Sequence, residues 1–438
     1  MLNTGQQDAV KSLCKFFEST TAQQFGVYGL AGTGKSWSLA QFLKDNHRVR
    51  SEALLLAPTH RAKNVLIDFV SEHHLGVDVT TIHSALGLRV RQVNGESLLV
   101  EGDSQPIVNY RYVFVDEASM IDEKLCRHLI NWVTFSRDRK LVKLGDRLQL
   151  PPVSSKNNKI PFIDNHPCDF VELNQIERYK EENLLEIVKA SVLATRFGNC
   201  FTPYGYLNKF ASENLKNISK NQVLDEFEPD KTIVAAWQNT TVQKYNFLIR
   251  NKVMGLPKDA PDFIPDEIIV TNKTLVVDGQ IVATNGSRLV VDKVEETIHS
   301  ALHSGSKLYE PNRGKFEGYI LTLANPELPI GSIEYEMSKV KVSTVKYSEM
   351  KSYRAALKRI KELAIESGGK AWREYYKLLE FNADVRHVYA GTIHSLQGST
   401  YDRVIIRNDF GRFKDSFVQP RLWYVGMSRC REFLAVAS

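Results

Sequence analysis

The sequence predicts an α/β protein of more than one domain, and three observations carry that reading. First, the apolar stretch Phe25-Gly26-Val27-Tyr28 leads through the glycine-rich loop Gly29-Leu30-Ala31-Gly32-Thr33-Gly34-Lys35-Ser36 into the amphipathic helical pattern of residues 37–44. Second, apolar runs at 53–57, 112–115 and 140–144 each end in a polar loop. That is the rhythm of buried parallel strands with ligand loops at their C-terminal ends. Third, the pattern restarts past residue 180, with a helix at 182–195, a strand at 232–237, a helix at 241–251 and then, over 267–345, short β-type runs at 267–270, 274–277, 288–291 and 319–323 separated by the turn pairs Asp278-Gly279 and Asn285-Gly286.

The glycine-rich loop is the strongest local signal. Residues 29–36 fit G-x-x-x-x-G-K-[ST] in the strand–loop–helix setting that this phosphate-binding pattern requires. A chance glycine-rich turn needs no such flanks. Gly29, Gly32 and Gly34, with Thr33 between them, let consecutive backbone N–H groups face phosphate oxygens, and the helix N-terminus adds partial positive charge. Lys35 would reach the β- and γ-phosphates of a nucleotide, and the Ser36 hydroxyl would ligate Mg²⁺. Tyr112-Val113-Phe114-Val115-Asp116-Glu117 supplies the complement, a buried strand ending in two acids. Asp116 would hold the water shell of Mg²⁺, and Glu117 would orient and activate the water that attacks the γ-phosphate.

The bulk numbers bound the rest. A chain of 438 residues has room for about two to four domains. Hydrophobic residues at 43% and charged ones at 25% call for a packed core. A net charge of +6 suits a polyanion partner without requiring one. The five cysteines, Cys14, Cys126, Cys168, Cys200 and Cys430, are odd in number and widely spaced. They argue against a disulfide framework or a zinc site and for a reducing compartment. His299/His303 is the one metal-like histidine spacing, and it lacks an acidic companion. With no signal-peptide pattern and no apolar run near ~18 residues, the expectation is a soluble cytoplasmic protein that does not engage a membrane.

Other stretches leave two readings open. Gln6 lies upstream of the first strand, where its amide suits the Hoogsteen edge of adenine or simply belongs to a helix cap. Thr59, His60, Arg61 and Lys63 follow Ala57-Pro58; they could bind phosphate, stack a base, or form a cap and a solvated basic face. Thr-Ile-His-Ser occurs at 81–84, 297–300 and 392–395. The first and third copies sit in α/β settings and hint at two related domains using equivalent loops; the middle copy reads as coincidence. Residues 88–101 alternate around Asn94-Gly95, a strong hairpin signal. The hairpin is either functional or an ornament of the surface. Residues 349–366 and 372–381 form a helical pair around Ser367-Gly368-Gly369. The first helix carries Lys351, Arg354, Lys358, Arg359 and Lys361, which could brace the hairpin, track a nucleic-acid strand, or be a solvated face.

The next motif carries a family resemblance. Gly145-Asp146-Arg147-Leu148-Gln149-Leu150-Pro151-Pro152 follows an apolar strand, and with the motifs above it resembles superfamily 1 helicases of the RecD-like branch. The resemblance implies that Gln149 senses the γ-phosphate and Gln6 reads adenine. It further implies that Arg178 in Glu172–Arg178 touches the γ-phosphate, although Asn174-Gln175 replaces the commoner Thr-Glu. Val388–Gly398 resembles the loop that contacts DNA through Thr392 and His394 and approaches nucleotide at Gln397-Gly398. Arg429 falls on the arginine finger, with Met427-Ser428 departing from the usual Ala-Thr or Val-Thr.

The fold so implied is two RecA-like P-loop domains with an inserted β-hairpin, an inserted SH3-like β-barrel and a helical hairpin. The boundaries are 1–180 (hairpin 87–108), 181–270 with 386–438, and 271–385 for the barrel and helical hairpin. The activity implied is an ATP- and Mg²⁺-dependent DNA helicase, moving 5′→3′ on single-stranded DNA in replication, recombination or repair. DNA would be held by Pro58, Thr59, His60, Thr81, His83, Thr392 and His394, with Asn94-Gly95 at the duplex junction. The expected partners are single-stranded DNA and duplex junctions, and a single-strand-binding protein or replisome components. The expected form is a monomer, in a host cytoplasm if the source is a phage. The alternatives are a translocase that displaces bound proteins, and a P-loop ATPase switch without nucleic acid.

Overall fold

The structure, a computed structural model, describes residues 2–93, 96–102, 104–152, 155, 158–277, 280–283, 286–300, 315–367, 370–411 and 413–438. The expected turns at Asn94-Gly95, Asp278-Gly279 and Asn285, the helix stop at Gly368-Gly369, and His303 lie outside the described residues.

Before residue 180 the described strands are β1 (Gln24–Gly29), β2 (Ala53–Ala57), β3 (Asp78–Thr81), β4 (Leu88–Val93), β5 (Glu96–Glu101), β6 (Tyr112–Val115), β7 (Lys140–Gly145) and β8 (Phe170–Leu173). Six of them form an all-parallel sheet in the order β3-β2-β6-β7-β1-β8. β2, β6 and β7 are buried along their whole length, which is why their sequences run apolar without alternation. One face is covered by the helices Thr4–Glu18, Lys35–Asp45 and His60–Glu72, whose Leu13, Phe16, Phe42 and Leu66 pack with Val27, Leu55, Phe114 and Val142. Full burial of one such phenylalanine is worth ~2–3 kcal/mol. Lys143 breaks the apolar run of β7 but is fully buried; its ammonium donates to the carbonyls of Phe162 (3.0 Å) and His166 (2.7 Å).

β4 and β5 pair as a separate two-stranded ribbon. At its base Gly87 has φ +61°, and an added Cβ would lie 1.8 Å from the backbone oxygen of Ser104. Only glycine fits there. Gly87→Ala is therefore expected to destabilise the protein by about 2–4 kcal/mol, read as a lower apparent melting temperature.

The later strands are β9 (Leu215–Ile218), β10 (Thr232–Ala236), β11 (Ile268–Thr271), β12 (Leu275–Val277), β13 (Gln280–Ala283), β14 (Arg288–Ser300), β15 (Lys315–Ala324), β16 (Val340–Val345), β17 (Val385–His387), β18 (Ala390–Thr392), β19 (Tyr401–Arg407) and β20 (Cys430–Ala437). A second all-parallel sheet runs β18-β10-β19-β20-β9. Between β10 and β18 the chain forms an antiparallel sheet, β16-β15-β14-β11-β17, and the ribbon β12-β13. β14 and β15 are longer than the apolar runs expected at 288–291 and 319–323, because they pair from Val290↔Ala324 out to Ser300↔Lys315. The middle Thr-Ile-His-Ser copy thereby becomes part of a strand.

The chain divides into two compact units. The first holds residues 1–88, 101–249 and 389–438, and so contains both parallel sheets. The second holds residues 89–100 and 250–388, and so contains the antiparallel sheet and the helices Met350–Ser367 and Lys370–Glu380. In that unit Tyr353, Ala356 and Ile360 of one helix and Tyr375 and Leu378 of the other pack with Phe316 and Val345. Lys351, Arg354, Lys358 and Arg359 lie on the exposed face. A buried ion pair, Arg250 with Glu267, sits beside His387, whose ring stacks on Phe263 at 5.5 Å. No helix among the described residues is long and apolar enough to cross a membrane.

Candidate functional site

The phosphate loop is shaped by close approach. Gly32 (φ +78°) and Gly34 (φ +85°) take left-handed conformations that side chains disfavour. A Cβ on Gly32 would meet Arg178 Cβ at 2.5 Å, and one on Gly34 would meet Gln6 Nε2 at 2.2 Å. Gly29 is as tight, with Leu173 O 2.7 Å from its Cβ position. Gln6 reaches the loop because it closes a capping box with Asn3; its Nε2 then donates to Thr33 O at 3.1 Å. The cap reading and the loop reading of Gln6 are thus both realised. Thr33 Oγ1 donates back to Leu30 O at 2.9 Å. Lys35 Nζ donates to Gly29 O (2.9 Å) and Leu30 O (3.0 Å), which holds the ammonium over the loop. Ser36 stands in the first turn of the helix Lys35–Asp45.

The acids follow β6. Glu117 has φ +50°, a strained position for a non-glycine residue and one that clusters at functional sites. Asp116 Oδ1 accepts from Glu117 N at 2.9 Å. Burial pushes the Asp116 carboxyl up to about 6, the Glu117 charge adds to this, and Lys35 opposes it. A buried carboxylate crowded by a second one is a setting that a divalent cation would relieve. Ser36 and Asp116 therefore fit Mg²⁺ in chemistry.

The remaining groups come from both parallel-sheet halves of the same unit: Gln149 and Arg178 follow β7 and β8 of the first, while Gln397, Gly398 and Arg429 belong to the second. Arg178 donates to Ser428 O, and Glu177 N donates to Gly32 O at 2.8 Å. Arg429 follows the helix Val418–Met427 and is 3% exposed. Its guanidinium donates to Val425 O (3.1 Å), Ser399 O (3.3 Å) and Ser428 Oγ (3.0 Å). Burial lowers its pKa while the Glu117 charge raises it, so the arginine stands in the field of that carboxylate. Gln149 is buried, and its Oε1 accepts from Ser119 Oγ at 3.4 Å. Gln397 Nε2 donates to Leu150 O at 3.3 Å and lies 3.5 Å from Gln149 Oε1. Gly398 (φ +74°) passes Glu117, whose Oε1 is 3.8 Å from its Cβ position. Loops from both parallel sheets thus converge on the glycine-rich loop.

One participant escaped the sequence reading. Tyr424 sits in an apolar run of the helix Val418–Met427, where it reads as core. Its hydroxyl accepts from Ala31 N at 2.8 Å and donates to Asp146 Oδ2.

The polar loops share one device. Thr59 Oγ1 accepts from Ala62 N (3.2 Å), Thr81 Oγ1 from Ser84 N (3.2 Å) and Thr392 Oγ1 from Ser395 N (3.2 Å). Each threonine follows or ends a parallel strand and caps the turn beyond it. Thr81 ends β3 and Thr392 ends β18, the edge strands next to β2 and β10, so the first and third Thr-Ile-His-Ser copies occupy corresponding places. Thr81 is 2% exposed with its hydroxyl engaged, which leaves His83 as the more accessible of the two. Pro58 is partly buried beside the cap. His60, His83 and His394 all have pKa values lowered chiefly by burial, and His60 also feels Lys63 and His83. They are neutral near pH 7 and suited to hydrogen bonding or stacking rather than charge pairing. Arg61 donates to Tyr401 OH and lies 5.1 Å from the centre of its ring, a further tie between the two sheets' loops.

Residues 1–194 match a family model described as an AAA domain. Over 455 aligned positions the chain is 25% identical to the ATP-dependent DNA helicase Dda of Enterobacteria phage T4, covering 98% of each chain. It is 24% identical to an uncharacterised protein of Acanthamoeba polyphaga mimivirus over 480 positions, covering 93% of each. Among solved structures, Bacteroides Pif1 bound to single-stranded DNA matches with a TM-score of 0.53 at 17% identity, over 100% of this chain and 92% of that one. This last likeness bears on the fold alone, two parallel-sheet halves of RecA type.

Proposed function

We propose that this chain, a relative of superfamily 1 helicases near Dda, is an ATP-dependent DNA helicase that translocates on single-stranded DNA. The observation that carries the reading is the convergence of the phosphate loop and acid pair of one parallel-sheet half with Arg178 and Arg429 beside them.

Lys35 leaves the carbonyls of Gly29 and Leu30 to meet the β- and γ-phosphates, and the backbone N–H groups of residues 32–36 complete the cradle. Mg²⁺, when bound by Ser36 and Asp116, would neutralise charge between the β- and γ-phosphates. Glu117 takes the proton of the attacking water. Gln149 and Arg178 report the γ-phosphate, and Arg429 stabilises the charge that develops on it. Gln6 and Gln397-Gly398 complete the nucleotide contacts.

The capped loops at 58–60, 81–83 and 392–394 hold the DNA strand. Nucleotide draws the two halves together and hydrolysis releases them, so the loops of each half grip in turn. We read the boundaries as 1–180, 181–270 with 386–438, and 271–385, with the antiparallel insert as an SH3-like barrel whose strands β11 and β17 run across the limits at 270 and 385. The ribbon β4–β5 serves as the wedge at the duplex junction, and movement is 5′→3′. A monomer acting beside a single-strand-binding protein or replisome components in the cytoplasm fits this job.

The test is strand separation on duplexes with a 5′ or a 3′ single-stranded tail, with ATP and Mg²⁺. Opening of the 5′-tailed duplex is expected, with strand affinity falling by roughly 0.7 log-units per neutralised phosphate for each tenfold rise in salt. Displacement of bound protein without duplex opening would instead support a translocase.

A further inference from the structure

The Tyr424 hydroxyl joins three separate parts of the site. It accepts from Ala31 N, the third residue of the phosphate loop, at 2.8 Å. It donates to Asp146 Oδ2, at the end of β7. It stands on the helix Val418–Met427, directly before the segment that carries Arg429. All three parts are out of water: Tyr424 is fully buried and Asp146 is 1% exposed.

Asp146 anchors the arrangement through both carboxyl oxygens. Its Oδ1 accepts from Leu148 N at 2.9 Å, which fixes the start of the loop that presents Gln149. Its carboxyl is raised by burial, drawn down by Lys35 and pushed up by Glu117, so it stands in the same field as the phosphate-facing groups. On the other side, Arg429 Nε donates to Val425 O, one residue beyond Tyr424. A displacement of the Tyr424 ring is carried to Arg429 through that single turn.

A buried hydroxyl that gives up one partner must find another or move. Turning of the Ala31 N–H toward a phosphate oxygen takes a donor from Tyr424, while Asp146 keeps the hydroxyl proton engaged. We infer that Tyr424 is a positioning residue that couples the phosphate loop to Arg429, so that hydrolysis follows the placement of the second half and, through it, bound single-stranded DNA. The inference rests on the helicase reading above and adds to it the residue that transmits the signal.

The test compares ATP hydrolysis by the full chain and by Tyr424→Phe, each with and without saturating single-stranded DNA. The substitution keeps the ring and removes only the hydroxyl. The expected result is a loss of about tenfold in the ratio of stimulated to unstimulated rate, with affinity for the strand, by anisotropy, within about threefold of native. A merely structural role would lower both rates and the affinity together and leave the ratio alone. A ratio within about twofold of native overturns the inference and leaves the helicase reading standing. A native chain whose hydrolysis ignores DNA overturns both. Should Tyr424→Phe fail to fold, Asp146→Asn decides: its amide presents one oxygen where the carboxylate presents two, so the hydroxyl loses its acceptor at Oδ2 while Leu148 N keeps the one at Oδ1. A ratio reduced by about threefold or more supports the coupling, and an undiminished ratio overturns it.

Discussion

Arg429→Ala is expected to reduce DNA-stimulated ATP hydrolysis by about 10³-fold or more, the range set by arginine fingers in phosphoryl transfer. Arg429 is held by Val425 O, Ser399 O and Ser428 Oγ, with Arg178 and Ser428 bonded beside it and Glu117 within its field. Such a cation needs little reorganisation when negative charge grows on the transferred group. Arg429→Lys should recover only part of the loss, because an ammonium keeps the charge but not the fork that makes these contacts. Single-turnover hydrolysis, beside a nucleotide-binding titration, separates the two contributions. The account requires the defect to lie in the rate with nucleotide affinity nearly retained.

Lys35→Ala carries the second large effect. The ammonium in this structure is bonded to Gly29 O and Leu30 O, on the loop itself. No other charged side chain extends from residues 29–36. Its removal is expected to cost about 10²–10³-fold in hydrolysis, with weaker nucleotide binding besides. The loop should keep its shape, since Gly32, Gly34, the Thr33–Leu30 bond and the Gln6 contact are untouched. Equilibrium binding of a fluorescent nucleotide together with steady-state hydrolysis measures both. Retained DNA-stimulated hydrolysis would remove the phosphate loop from the account.

What could be read in the chain follows from how local the signal is. Residues 29–36 and 116–117 announce themselves because a strand, a turn and the next side chains are contiguous. The Thr-Ile-His-Ser copies at 81–84 and 392–395 were legible as a pair for the same reason, though not that their threonines cap turns. Tyr424 was illegible because its partners, Ala31 and Asp146, lie 393 and 278 residues away, and a tyrosine within Leu422-Trp423-Tyr424-Val425 has the pattern of core. Lys143 lay within an expected buried strand, but nothing local to it says how its charge is met there: two backbone carbonyls satisfy it inside the fold. The full length of β14 was hidden because residues 292–300 are largely polar, and the strand is sustained by its ladder with β15 rather than by an apolar run. The left-handed Glu117 has no sequence mark at all, since its conformation is imposed by the tertiary surroundings of the site.

The most direct measurement is the rate of ATP hydrolysis with and without single-stranded DNA, at one stated salt concentration. The account predicts stimulation of about tenfold or more, because the loops proposed to hold DNA and the groups proposed to hold nucleotide belong to the same two halves. A rate unchanged by DNA would contradict it and leave a P-loop ATPase that is not a motor.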